Sequence, residues 1–208
     1  MKENTENFPQ GACIETIRYM DARPENLAHH NLRMNRTRQD LFGSEDFVDL
    51  GELIRIPDML PSHVYKCRVT YTHQIVAVEW EPYQRRVIRS LQVVHNETID
   101  YTYKYRQRHD LEKIYSQKKK HDDVLIVRNG YLTDAYVCNI ALLKGDKWLT
   151  PALPLLKGTQ RELLLEQDKI YEADIHLDNL PDFTHIRLFN AMMPWRDAIE
   201  LPVRQIFH

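Results

Sequence analysis

A few side chains, far apart along the chain, have the types and settings that covalent and acid–base chemistry uses. Lys104 lies in the run IDYTYKY, residues 99–105, flanked by Tyr103 and Tyr105. Aromatic neighbours that exclude water favour the neutral amine, which is the form that attacks a carbonyl. Asp134 lies on the far arm of the Asn129-Gly130 turn signal and could hold a proton on a heterocyclic nitrogen. Arg33 offers a forked, permanent cation that suits phosphate. Gly158 and Thr159 open a helix, whose first amides lack intrahelical partners and attract anions. A phosphate clamp, an acid for a ring nitrogen and an amine for an aldehyde are the contacts that pyridoxal 5′-phosphate requires. Each piece also has an ordinary reading. Lys104 reads equally as a solvated lysine on an edge strand, Arg33 as a helix-surface charge and Asp134 as a turn residue, and spacing alone does not choose.

Composition narrows the field. The chain has 208 residues, 43% hydrophobic and 28% charged, enough for one to two domains with a sizeable core. Lys+Arg 28 against Asp+Glu 30 leaves no cationic excess for a phosphate backbone, so no nucleic-acid partner is expected. Three cysteines without a C-x-x-C pair fit a reducing, cytoplasmic setting, with Cys13, Cys67 and Cys138 buried and inert. The opening MKENTENFPQ lacks a signal peptide's apolar core, and no apolar run approaches the ~18 residues of a bilayer span, so no membrane partner is expected. Six glycines, with Gly43 and Gly51 the nearest pair, are too dispersed for a dinucleotide fingerprint or a P-loop. Neither a G-x-S-x-G elbow nor an H-E-x-x-H motif occurs, and ten scattered histidines give no ligand spacing, so no metal is expected.

The chemical groups need elements to position them. Residues 12–20 alternate, with Ile14, Thr16 and Arg18 on one face and Cys13, Glu15, Ile17 and Tyr19 on the other, which predicts a strand. Asn26 is placed to cap a helix reaching Phe42, with Gly43 just beyond its end, and His30 and Arg33 share one of its faces. A second helix is expected near residues 47–54, then strands at 65–72, 74–80 and 86–94. Residues 99–105 read as a further strand and 110–119 as a helix. Beyond them come a strand at 124–127, the Asn129-Gly130 hairpin, and strands at 131–134, 139–143 and 147–150. The spacing of Thr159 and Glu162 fits a capping box, and 186–190 is a late apolar strand. The expectation is an α+β protein of two domains, residues 1–97 and 98–208.

Several motifs recur in a fixed order: His30-Asn31-Leu32-Arg33, then Tyr103-Lys104 with Arg108, then Asn129-Gly130-Tyr131-Leu132-Thr133-Asp134 with Asn139. Thr150-Pro151 and Leu155-Leu156-Lys157-Gly158-Thr159-Gln160-Arg161 follow. The series resembles the class IV aminotransferases, the fold type IV pyridoxal phosphate enzymes, which include aminodeoxychorismate lyase, D-amino acid aminotransferase and branched-chain aminotransferase. The late Phe189-Asn190-Ala191-Met192 most resembles the lyase branch.

The resemblance implies a two-domain α+β fold like that of D-amino acid aminotransferase, with the cofactor between the domains, and a homodimer. It implies pyridoxal 5′-phosphate as cofactor and a small-molecule amine as substrate. It places Lys104 as the Schiff-base lysine and Arg33, Gly158, Thr159, Asn190 and Ala191 at the phosphate. Asp134 falls at the pyridine nitrogen, Thr16 at the reacting group as a second catalytic residue, and Arg18 at a substrate carboxylate. The activity implied first is that of 4-amino-4-deoxychorismate lyase in folate biosynthesis, a C–O elimination that releases pyruvate and leaves 4-aminobenzoate. An aminotransferase acting on D- or branched-chain amino acids comes second, and a non-catalytic protein that has kept the fold third. Two departures are visible. The family's usual residue at Asp134 is glutamate, one methylene longer, and the chain is shorter than most relatives, chiefly on the N-terminal side and in loops, which set specificity.

Overall fold

The alternation at residues 12–20 becomes β1 (Cys13–Met20), an inner strand in which only Thr16 and Met20 escape full burial. A computed structural model describes residues 8–57 and 64–208; the polar segment 1–7, on which the expected absence of a leader rests, lies outside them. β2 (Arg23–Pro24) pairs with the end of β1. α1 (Leu27–Phe42) follows, burying His30, Asn31, Met34, Thr37 and Arg38 as a stripe at helical spacing. Gly43, at φ 65°, closes it as expected, whereas Asn26 stands at the N-cap position without a side-chain cap bond. α2 (Leu50–Leu53) is a single turn, shorter than expected, capped by Asp49 through the Gly51 amide at 2.8 Å. β3 (Val64–Tyr71) and β4 (Ile75–Pro82) complete an antiparallel sheet in the order β2-β1-β3-β4. One face of it packs Cys13, Ile17, Tyr19, Cys67, Val69 and Tyr71 with Met34 of α1 into a core.

The second unit begins with β5 (Leu91–His95), half the length expected. α3 (His109–Tyr115), extended by a 3-10 turn at Ser116–Lys118, carries the chain to β6 (Asp123–Arg128), which runs parallel to β5. A parallel pair needs such a crossover. Asn129 and Gly130, at φ 51° and 81°, turn the chain into β7 (Tyr131–Ala135), the tight hairpin that the sequence predicts. Then come β8 (Asn139–Lys144), β9 (Lys147–Pro151), α4 (Thr159–Glu166), β10 (Tyr171–Ala173), β11 (His185–Phe189), β12 (Ile199–Pro202) and β13 (Ile206–Phe207). They form two sheets, β13-β5-β6-β7 and β10-β9-β8-β11-β12, around a core that includes Leu125, Leu132, Ile140, Ile186 and Leu188. No helix among the described residues is long and apolar enough to cross a membrane.

Three expectations need correction. Residues 99–105 do not form a strand: Asn96 and Asp100 accept hydrogen bonds from the Thr98, Ile99 and Thr102 amides and commit that backbone to turns. Only Tyr105 bridges a strand, opposite Cys13 of β1. The capping box is absent, because Gly158 is the N-cap of α4 and Glu162 pairs with Arg161 at 3.0 Å. The units are also discontinuous. One comprises residues up to Pro82 plus Tyr103–Gln107, and the other Tyr83–Thr102 plus Arg108–His208, where a single break near 97 was expected. The cause is local, since the Ile14 amide donates to the Lys104 carbonyl at 2.9 Å and the Arg106 amide to the Ala12 carbonyl at 2.8 Å, stitching 103–107 to the edge of β1.

Candidate active site

Sequence-predicted residues gather in two places, one in each unit. In the first, β1 carries Glu15 on the same face as Cys13, Ile17 and Tyr19 and presents it, fully buried, to α1. Arg33 grips it with both prongs, Nε to Oε1 at 2.9 Å and Nη2 to Oε2 at 2.6 Å. His30 Nδ1 lies 2.6 Å from the same Oε2. Burial alone would push the Glu15 carboxyl up, but Arg33 and His30 outweigh it and hold it at about 2. Glu15 is therefore a carboxylate, and the proton of the His30 contact must sit on Nδ1 and be donated. His30 is kept neutral, first by burial and, against the pull of Glu15, by the charges of Arg33 and Lys104. An arginine fixed in this way is oriented before any ligand arrives.

Lys104 is half-buried and tied to β1 through its carbonyl, and its ammonium is close enough to His30 to act on it electrostatically. Thr16 and Arg18 lie on the other face of β1 from Glu15, since side chains alternate across a strand. Arg18 is buried and pairs with Glu25 at 3.2 Å. The thiols of Cys13 and Cys67 are raised to about 12 by burial, and all three cysteines are free and buried, as expected.

In the second unit Asp134, on β7, is almost wholly buried. Its Oδ1 accepts from Asn139 Nδ2 at 2.6 Å, and its Oδ2 from the Leu155 amide. Asn139 also reaches the Leu156 carbonyl at 2.8 Å, so one side chain ties β7 to the loop before α4. Burial raises the Asp134 carboxyl to about 7 in spite of those donors and of Arg161. A cation placed beside such a group would draw it to its carboxylate form, the form that pairs with a protonated ring nitrogen. Gly158 approaches so closely that an added Cβ would stand 2.0 Å from Asn139 Oδ1. Behind it α4 starts at a buried Thr159, with Gly158, which has no side chain to offer, in the N-cap position. Asn190 Oδ1 accepts the Met192 and Met193 amides at 2.9 Å each, forming a turn around Ala191. Its Nδ2 donates to the Val137 carbonyl at 3.1 Å and to Cys138 Sγ at 3.4 Å, which gives that cysteine a structural contact. Asp134, Asn139, Gly158 and Asn190 are thus linked through the segment between β7 and β8.

By residue type the two groups match what a phosphorylated pyridine aldehyde requires: an amine and an oriented guanidinium in the first unit, and a buried carboxyl near neutrality and a helix start at a closely packed glycine in the second. Sequence reasoning assigned no role to Glu15, Asn139 or Arg161. Glu15 had a signal, a lone charge on the apolar face of an alternating strand. Arg161 is buried and holds the Pro151 carbonyl at 3.0 Å and Glu172 at 2.6 Å, contacts that no local pattern announces.

Comparison with known proteins agrees with this geometry. The sequence profile described as amino-transferase class IV matches residues 12–201. An uncharacterised protein of Haemophilus influenzae is 32% identical over 181 residues, covering 86% of this chain and 96% of its own. A candidate 4-amino-4-deoxychorismate lyase of Haemophilus somnus has a solved structure that superposes with a TM-score of 0.81 at 30% identity, over 90% of this chain and 99% of that one. A hypothetical aminotransferase of Mycobacterium tuberculosis, solved with pyridoxal phosphate bound, shares the fold with a TM-score of 0.76 at 16% identity, over 99% and 89% of the two chains.

Proposed function

The chain belongs to the class IV aminotransferase family of pyridoxal phosphate-dependent enzymes, and on that premise we propose that it binds pyridoxal 5′-phosphate and acts as a 4-amino-4-deoxychorismate lyase. The observation that carries the cofactor assignment is Asp134, a buried carboxyl at about 7 held by Asn139 and the Leu155 amide. The lyase branch is favoured by the Asn190-Ala191-Met192 turn and by the likeness to the Haemophilus somnus protein.

When bound, pyridoxal phosphate supplies an aldehyde for amines and an electron-withdrawing ring that takes up the electron pair left by a departing proton. Lys104 would be the amine that holds the aldehyde and, as a free amine, would carry the substrate's proton. Asp134 holds a proton at the ring nitrogen, its carboxyl kept in place by Asn139. Arg33, pinned by Glu15 and His30, would hold phosphate, a role also proposed for the amides at Gly158 and Thr159 and the turn at Asn190 and Ala191. Thr16 orients the leaving group and Arg18 a carboxylate. The substrate ring would give a proton to the Lys104 amine, its C–O bond would break, and the leaving enolpyruvate would take up a proton to become pyruvate, leaving 4-aminobenzoate.

The test is product formation without any keto acid. Purified protein with pyridoxal phosphate and 4-amino-4-deoxychorismate should yield pyruvate and 4-aminobenzoate in equal amounts. Turnover that needs a keto acid and yields an amino acid would assign an aminotransferase instead.

A further inference from the structure

Four side chains of the second unit, none of them yet given a part in the chemistry, close a ring of contacts. Asp123, at the start of β6, is fully buried. Its Oδ1 accepts the Val124 amide at 2.8 Å and the Tyr136 amide at 3.3 Å, and its Oδ2 pairs with Arg86 Nη1 at 3.0 Å. Arg86 Nη2 in turn donates to the Tyr115 hydroxyl at 2.8 Å. Tyr115, the last residue of α3, stacks on the ring of Tyr136, with centroids 4.3 Å apart and planes 20° from parallel, which returns the circuit to its start. Burial pushes the Asp123 carboxyl up, against the Val124 amide and Arg86. An ion pair that burial opposes adds little stability over apolar packing, so what it fixes in space is the better account of it.

What the ring fixes is the turn between β7 and β8. That turn is tight: the Ala135 amide donates to the Cys138 carbonyl at 2.9 Å, leaving Tyr136 and Val137 at its tip. At its two ends stand Asp134 and Asn139, whose side chains meet at 2.6 Å. Asn190 holds the turn by the Val137 carbonyl and Cys138 Sγ, and Tyr136 holds it by amide and ring together. A shift of about 1 Å would carry the Asp134–Asn139 contact beyond hydrogen-bond length and let the carboxyl turn.

We propose that Tyr136 is a positioning residue: seated on Tyr115 and Asp123, it fixes the turn that presents the Asp134 carboxyl to the cofactor's ring nitrogen in one orientation. The proposal rests on the cofactor reading, and one half of its test needs no cofactor.

In the apoprotein the readout is hydrogen exchange of the Leu155 amide, which donates to Asp134 Oδ2. Tyr136→Ala should speed that exchange about tenfold or more, while amides of β5 and β11 keep their protection. Tyr136→Phe, which keeps the ring, should exchange like the wild type. Tyr115→Leu, which removes the stacking partner and the acceptor of Arg86, should reproduce Tyr136→Ala and carries the same comparison if that variant does not fold. The two substitutions together should do no more than either alone.

With cofactor, affinities are measured for pyridoxal phosphate and for its 1-deaza analogue, in which carbon replaces the ring nitrogen. The wild type should prefer pyridoxal phosphate about ten- to a hundredfold, the contribution of a charge-assisted hydrogen bond at that nitrogen. Tyr136→Ala and Tyr115→Leu should lose most of the preference and bind the analogue as the wild type does, whereas a merely structural role would weaken both compounds alike. Leu155 exchange that ignores both substitutions, or two affinities that fall together, would overturn the role of Tyr136. A wild type that binds neither compound, while Leu155 exchange still follows Tyr136, would end the cofactor reading and leave the anchorage of the turn standing.

Discussion

Asp134 is where a single residue exposes its role to measurement. Its carboxyl stands at about 7 because burial outweighs the Leu155 amide and Asn139, whereas an unfolded aspartate titrates near 3.9. A raised pKa means that the native state holds the proton more tightly. The stabilisation is complete below about pH 4 and is lost as pH rises through about 7. His30 works in the opposite sense, since its folded pKa is depressed and keeping it neutral costs stability below about pH 6.5. Glu15, held at about 2, is constant above about pH 5 and drops out. The informative quantity is therefore a difference. In the apoprotein, the thermal midpoint of Asp134→Asn relative to wild type should rise by several degrees as pH goes from about 5 to 8, because the amide has no proton to surrender. Parallel midpoint curves would show that Asp134 is not the titrating group. Such a role was half legible: the hairpin position singled out Asp134, but the burial that sets its pKa comes from residues that are distant in sequence.

Among the elements, the glycines report how tightly the loops are built. At Gly158 the backbone is ordinary, with φ −75°, but no room exists for a side chain beside Asn139. At Gly145 the reverse holds: φ is 63° and nothing lies within 4 Å. Gly158→Ala should displace the Asn139 amide from Asp134 and weaken pyridoxal phosphate binding tenfold or more, while Gly145→Ala should cost only about 1–2 kcal/mol of stability and leave binding intact. A spectroscopic titration of both variants checks this, and equal effects would sink it. Elements written in a local code were legible from sequence: the alternating β1, the Asn129-Gly130 hairpin, the helix closed by Gly43. Those decided by competition were not. The tyrosine-rich run at 99–105 has strand composition, yet the side chains of Asn96 and Asp100 bend its backbone. Thr159 and Glu162 match a capping box, yet Arg161 claims Glu162.

For the whole molecule, a linear boundary fails because the chain changes units three times, and the short return at Tyr103–Gln107 is the segment that carries Lys104. The tie of 103–107 to β1 consists of backbone hydrogen bonds, which any sequence can make and which composition therefore cannot announce. Its consequence is thermodynamic. Lys104 and Arg33 belong to one unit and Asp134, Gly158 and Thr159 to the other, and a ligand that binds native residues but not the unfolded chain stabilises by mass action. Pyridoxal phosphate at about a hundred times its Kd should stabilise by about 2.7 kcal/mol, raising the thermal midpoint by roughly 5–10 °C for a chain of this size. Borohydride should turn that reversible shift into a permanent one, with pyridoxyl mass on the peptide containing Lys104, and Lys104→Ala should retain only a smaller, reversible shift from the phosphate contacts. A wild-type midpoint that ignores the cofactor, with no mass gained on reduction, would leave a family fold that does not hold pyridoxal phosphate and would remove Lys104 from the chemistry.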